Sequence, residues 1–342
     1  MNASVAAQSG DGAVPVLPRV GVFLPTFHAG PGVGRAIATF AQRAEALGYD
    51  SLWATDHLLH GSLFYRVPWL EPLTALTYAA AVTQRMRLGT SVLVMPVRHP
   101  VVLAKEIATL QALSGDRFVL GAGTGWDTRE FDAVGVRRAD RGPQTDECIG
   151  IVRELLDGKS VRLSGRFYSL DDVRIGPTPE SVTVWVAGGR QLAHEKSPER
   201  PAMAPSVLRR IGRADGWIAR PTSPPDQIAA DVRDITAHLA EIGRDPATLT
   251  IAHENFCHLV PTSDPARARA EQIERFTAVM GKERPFEYFE QVYLTGTIEE
   301  IRDKIRARLA TGVTHLMLHT LEPSVRQLEL WAEQLLPGLV TV

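Results

Sequence analysis

Ser51-Leu52-Trp53-Ala54-Thr55-Asp56-His57 is a short apolar run that ends in an acid and an imidazole. Upstream, Ala36 to Leu47 has helical periodicity and is closed by Gly48, a normal residue just past a helix end. Downstream, Leu58 to Leu70 carries Phe64, Tyr65 and Trp69 and reads as an aromatic loop. Helix, buried strand, polar strand end and loop make one turn of a βα rhythm. The Asp56-His57 pair falls where such a fold presents side chains to a ligand. The same pair also reads as a turn cap and a surface histidine.

The rhythm extends over most of the chain. Apolar runs at Arg19–Leu24, Ser51–Ala54, Arg87–Leu93, Arg117–Gly123, Val182–Ala187, Gly216–Arg220, within Leu249–Val260 and at Val313–His319 alternate with helical segments. Several of the helices open on proline or close on glycine. Continuous apolar strands separated by helices imply a parallel sheet covered on both faces. Eight such units close into a (β/α)8 TIM barrel, with insertions. An open doubly wound sheet has the same periodicity and is the alternative. Three stretches interrupt the rhythm: a polar loop at Thr124–Arg141, a small hairpin at Ser160–Leu170, and a long aperiodic loop at Gly188–Pro205. Residues 1–17 read as a disordered Gly/Ala/Ser tail without a signal-peptide pattern, followed by one domain at 18–342.

Bulk properties narrow the function classes. The 342 residues are 44% hydrophobic and 22% charged with a formal net charge of −2, so no broad basic surface advertises nucleic acid or an anionic membrane. No apolar run is long enough to span a bilayer. Cys148 and Cys257 are far apart and match no zinc spacing, so no metal is expected, and two free thiols fit a cytoplasmic protein.

Four strand ends carry the residue types that chemistry or a ligand would use. His57 can move a proton near neutral pH, with Asp56 beside it to orient it or raise its basicity. Thr90-Ser91-Val92 is small enough for a flat ring to approach the backbone. Gly121-Ala122-Gly123-Thr124-Gly125-Trp126 contains GxGxG after a strand. A dinucleotide site would lead straight into a helix, whereas here Asp127-Thr128-Arg129-Glu130 opens a loop, so NAD is rejected while close ligand approach is retained. Gly188-Gly189-Arg190, with a helix starting near Ser206, suits a phosphate. Phe64, Tyr65, Trp69 and Trp126 suit a partly apolar substrate pocket. Each stretch also has an ordinary structural reading as a cap, turn or satellite core.

Taken in order, these stretches resemble the bacterial luciferase-like family of flavin-type oxidoreductases. The resemblance runs from about Val20 to Leu336 and rests on Ala44–Trp53, Asp56-His57, Arg87–Pro96, Leu110–Trp126 and Trp185–Gly189. It implies a TIM barrel with a flavin-like ring at the carboxyl end of the strands and His57 as catalytic acid/base. A non-prolyl cis peptide is implied at Ser91–Val92, and cofactor contacts at Thr90, Ser91, Val92, Gly123, Thr124, Gly125, Gly188, Gly189 and Ser206. The cofactor is coenzyme F420, for hydride transfer, or reduced FMN, for oxygenation with a separate flavin reductase as partner. Val101-Val102 follows His99-Pro100 where true luciferases carry a phosphate-binding arginine, which inclines the reading to F420. The insertion Arg190–Pro205 departs from the family and separates Gly-Gly from its helix, suggesting a lid. Family members are often dimers. A non-catalytic, ligand-binding member is the other class of function.

Overall fold

The computed structural model describes residues 18–61, 64–190 and 202–339. The expected tail at 1–17 and most of the expected lid lie outside these residues. Eight strands form the barrel: β1 (Arg19–Phe23), β2 (Ser51–Ala54), β3 (Arg87–Thr90), β4 (Phe118–Gly123), β5 (Thr183–Ala187), β6 (Gly216–Ala219), β7 (Thr250–Phe256) and β8 (His315–His319). Each pairs in parallel with its neighbours in chain order, and β8 pairs with β1 through Arg19↔His315 to Val22↔Leu318. The sheet is therefore closed, and the open doubly wound alternative falls.

Around it lie α1 (Val33–Ala46), α2 (Pro72–Ala80), α3 (Pro100–Ser114), α4 (Thr128–Ala133), α5 (Arg141–Leu156), α6 (Pro205–Ile211), α7 (Pro225–Glu241), α8 (Pro265–Met280), α9 (Phe286–Val292), α10 (Ile298–Leu309) and α11 (Arg326–Leu330). Helix α1 shows why these segments dock on the strands. Ile37, Phe40, Ala41 and Ala44 are its buried residues, at helical spacing along one face. The expected hairpin is present, with 161–164 antiparallel to 169–173.

Three expectations need correction. The polar loop at 124–141 contains α4, whose N-cap Asp127 accepts a hydrogen bond from Arg129 N. Six residues are too few to show a helical period. The short α9, in a stretch read as having no element, was missed for the same reason. The third strand breaks after Thr90 at a cis Ser91–Val92 bond, and pairing resumes at Leu93–Val94 against β4.

The barrel interior is filled by two indoles. Trp53 and Trp185 stack at 5.0 Å between centroids, with the His315 ring edge-on to both. This works because facing positions lack side chains. A Cβ on Gly89 would lie 2.2 Å from the Trp53 ring, one on Gly21 2.4 Å from Trp53 Nε1, and one on Gly216 2.5 Å from Trp185. Trp53 Nε1 donates to Ser51 Oγ at 2.9 Å, and Ser51 Oγ is 3.0 Å from His315 Nε2. Burial holds His315 down to about pKa 3, so its ring is neutral. His253 (about 3) and His319 (about 4) are neutral for the same reason.

Two predictions follow from this interior. Gly89→Ala should destabilise the protein by roughly 1–3 kcal/mol or more through overpacking. A Trp53→Leu background should recover part of that loss in chemical denaturation, and equal losses in both backgrounds would refute the packing account. The second concerns acid. His253, His315 and His319 have folded pKa values below the ordinary ~6.5. Between pH ~6.5 and ~4 the unfolded chain binds protons that the folded chain does not. Stability is then lost as pH falls, by about 1.4 kcal/mol per unit for each ring. The melting temperature should drop from pH 7 to pH 5, and less so in His253→Gln.

Candidate active site

The strands are buried through their middles, and the residues at their carboxyl ends regain exposure. Thr55, Val92, Thr124, Ala187, Gly188, Arg220 and Glu254 are all partly exposed. Together they outline a recess at the carboxyl end of the barrel. Val92 and Ala187 pack on the interior cluster that contains Trp53, Trp185 and Met317. They give the recess an apolar floor.

His57 stands at the end of β2 under an aromatic cover. Its ring centroid is 5.2 Å from Tyr65, 5.7 Å from Trp69 and 5.6 Å from Trp126. Phe64 closes on Trp126 at 4.7 Å, and the Arg284 guanidinium lies over Phe64 at 3.8 Å. The fold thus gathers all four residues read from sequence as a substrate pocket around one imidazole. His57 Nδ1 is 3.2 Å from Glu130 Oε1. A carboxylate only accepts, so Nδ1 is the donor of this pair. Glu130 is buried and also accepts from Leu58 N at 2.9 Å. It was missed because its helix went unread. Asp127 followed three residues later by Glu130 is a helix-start pattern that could have found it.

Asp56 does not partner His57. Its carboxylate accepts from Val94 N at 2.8 Å and from Arg98 at 2.9 Å. Burial pushes this carboxyl upward, against the pull of the Arg98 charge and the Val94 N–H. Adjacent residues beyond the strand point apart, and Asp56 ties β2 to the segment after Ser91–Val92. The carboxylate that pairs with His57, expected at Asp56, is Glu130.

The other candidates divide. Thr90 is committed to β4, donating to Gly121 O at 2.8 Å and accepting from Gly121 N at 3.1 Å. Ser91 Oγ donates to Glu254. Gly123 is explained by Val92, because a Cβ there would lie 2.3 Å from Val92 Cγ2. Gly125, at φ +69°, would put a Cβ 2.6 Å from Val94. Internal packing already requires both glycines. Thr124 is partly exposed and Trp126 exposed.

Gly188 accepts from Trp217 Nε1 at 2.8 Å, and Arg220 donates to Gly189 O at 2.9 Å. Val207 reaches within 2.9 Å of where a Gly188 Cβ would sit. Helix α6, with exposed Ser206 in its first turn, therefore lies against the Gly-Gly turn. Arg190, read as a phosphate partner, is instead held by Asp234 at 2.6 Å with Asp231 alongside at 3.6 Å. Arg220 is the cation that sequence reasoning missed beside this turn.

His319 forms part of the wall, stacked between Phe23 (4.4 Å) and Phe256 (4.2 Å). As a neutral ring it donates from Nδ1 to Thr320 O at 3.0 Å and accepts at Nε2 from Thr55 Oγ1 at 3.3 Å. Trp69 Nε1 and Thr26 Oγ1 are buried without a hydrogen-bond partner. A buried unmet donor costs about 1–3 kcal/mol. A ring bearing carbonyl and nitrogen acceptors would satisfy such a donor, so these residues fit a flavin-like group. Among the described residues no group of three or more His, Cys, Asp or Glu could hold a metal, and no helix is long and apolar enough to cross a membrane.

The comparisons agree with this geometry. The model of the luciferase-like monooxygenase family matches residues 19–315. The chain belongs to that family, whose barrels serve flavin- and F420-binding oxidoreductases. An uncharacterized protein of Mycobacterium tuberculosis is 32% identical over 193 residues, 52% of this chain and 62% of that protein. The match thus spans less than two thirds of that relative's length. The F420-dependent glucose-6-phosphate dehydrogenase of Nakamurella multipartita is 29% identical over 89% of this chain and 92% of its own. The monooxygenase RslO1 from Streptomyces bottropensis shares the fold, with TM-score 0.77 and 22% identity over 94% of this chain and all of its own.

One prediction belongs to Asp56. Asp56→Asn removes the charge that faces Arg98 and should cost roughly 1–3 kcal/mol, read as a lowered denaturation midpoint. It should leave the pH dependence of any activity in place, because the His57 partner is untouched. A displaced pH profile would return Asp56 to the proton chemistry.

Proposed function

We propose that this protein is an oxidoreductase that uses coenzyme F420 for hydride transfer to or from a small, partly apolar organic substrate. The observation that carries the reading is His57: buried under aromatic rings at the end of β2 and paired through Nδ1 with Glu130. When bound, the cofactor would supply the redox chemistry. Thr124, Gly188, Gly189 and Ser206 would meet it, with Ser91, Val92 and Ala187 beneath. Gly123 and Gly125 shape the wall by letting Val92 and Val94 pack. Arg220 offers positive charge next to the Gly-Gly turn.

The protein's own part is proton handling and exclusion of water. Nε2 of His57 takes a proton from a substrate hydroxyl, and Glu130 stabilises the imidazolium that forms. In the reverse direction the imidazolium returns the proton. Phe64, Tyr65, Trp69 and Trp126 surround the ring with apolar surface, where these electrostatic interactions are stronger than in water. Support for F420 comes from the likeness to the Nakamurella dehydrogenase along nearly the whole chain and from Val101-Val102 at the start of α3. The second reading is a monooxygenase using reduced FMN, favoured by the family description and by the fold of RslO1. It would need a separate flavin reductase.

Fluorescence titration with F420 and FMN, each oxidised and reduced, tests the reading. Tight binding of F420 and weak binding of FMN is expected; the reverse selects the monooxygenase, and binding of neither removes both. In the protein loaded with its preferred cofactor, His57→Ala should lower turnover by roughly 10²–10⁴-fold while affinity changes little. Unaltered turnover would take His57 out of the reaction.

A further inference from the structure

Glu254 is a carboxyl group near the carboxyl end of β7. It lies on β7 between Ala252 and Phe256 and shares their face, since side chains alternate along a strand. Ala252 belongs to the barrel interior, and Phe256 stacks on His319 at the mouth. Glu254 therefore points inward, at the level of the recess. Among the described residues no Lys, Arg or His lies within ion-pair distance of it, and its one hydrogen bond is from Ser91 Oγ to Oε2. Oε1 has no partner but is not sealed off, because Glu254 keeps part of its exposure to the recess. The phenols of Tyr65 and Tyr293 are its other electrostatic neighbours. Tyr65 in turn touches His57, and Arg284 is an electrostatic neighbour of both phenols.

We infer that Glu254 is a second acid–base group of this site, separate from His57, which donates a proton from Oε1 to a substrate heteroatom in the recess and takes it back. The inference rests on the recess being the cofactor and substrate site. The step balances as a proton transfer: the Glu254 O–H bond breaks, a bond to the heteroatom forms, and the carboxylate is left with the Ser91 hydroxyl donating to it. Two features suit the group to this work. Burial without a cation pushes its pKa up to about 7, with the Ser91 hydrogen bond opposing the rise. It can thus hold a proton at pH values where an ordinary carboxyl has lost it. The second feature is position. Ser91 immediately precedes Val92, which packs on the interior cluster, so the hydrogen bond holds the carboxyl next to the recess floor.

Infrared titration of the whole protein from pH 5 to pH 8.5 tests the group directly and needs no cofactor. The wild type should show a protonated-carboxyl absorption with a midpoint near 7 that is missing in Glu254→Gln. Ser91→Ala removes the donor that favours the carboxylate and should move the midpoint upward, which keeps the test open if Glu254→Gln fails to fold. Identical carboxyl titrations in wild type and Glu254→Gln would overturn the inference. With the cofactor that the wild type binds, Glu254→Gln should retain binding and lose the pH limb near 7, with turnover reduced on the order of 10²-fold. Superimposable pH profiles would also overturn it. Failure of the wild type to bind either cofactor would instead count against the reading of the recess, while the infrared result would still stand or fall alone.

Discussion

The structure depends on the Trp53–Trp185 stack inside the barrel. A closed eight-stranded barrel leaves an axis that must be filled, and in this chain two indoles fill much of it. They fit because Gly21, Gly89 and Gly216 present no side chain to them. Val92 and Ala187 rest on this packing. The floor of the recess is therefore the upper surface of the core, and the geometry of any ring lying there is set by residues that never touch it.

The same economy governs the acids around the recess. Asp56 is spent on Arg98 and the Val94 N–H, which hold the strand-three continuation in place. Glu130, brought by a six-residue helix, orients His57. Glu254 has no cation and keeps contact with the opening. Three carboxyls within one region thus have three different environments, and environment divides structural work from proton transfer. Thr90 and Arg190 teach the same lesson. Both have ligand-binding chemistry, and both are consumed by protein partners.

Much was legible from residue order alone. Buried strands read as unbroken apolar runs, and the helices between them announced themselves by period, by Pro72, Pro100, Pro225 and Pro265 at their starts, and by the glycines that follow others. Of the aromatic residues in the loop after His57, Tyr65 and Trp69 lie against its ring, and Phe64 packs on Trp126. What escaped were elements too short to have a period, α4 and α9, and hence Glu130. Glu254 escaped for another reason. A single acid in a strand gives no hint of which face it occupies until the strand's register is known.

By itself the sequence determined the (β/α)8 order, the strand ends where chemistry would gather, and the family likeness, because these depend on local periodicity and on motifs contiguous in the chain. Only the tertiary structure decided which carboxylate serves His57, why Gly123 and Gly125 must be glycine, and that Glu254 faces the recess. Those are contacts between residues 31 to 163 positions apart, and closure of the barrel is what brings them within bonding distance.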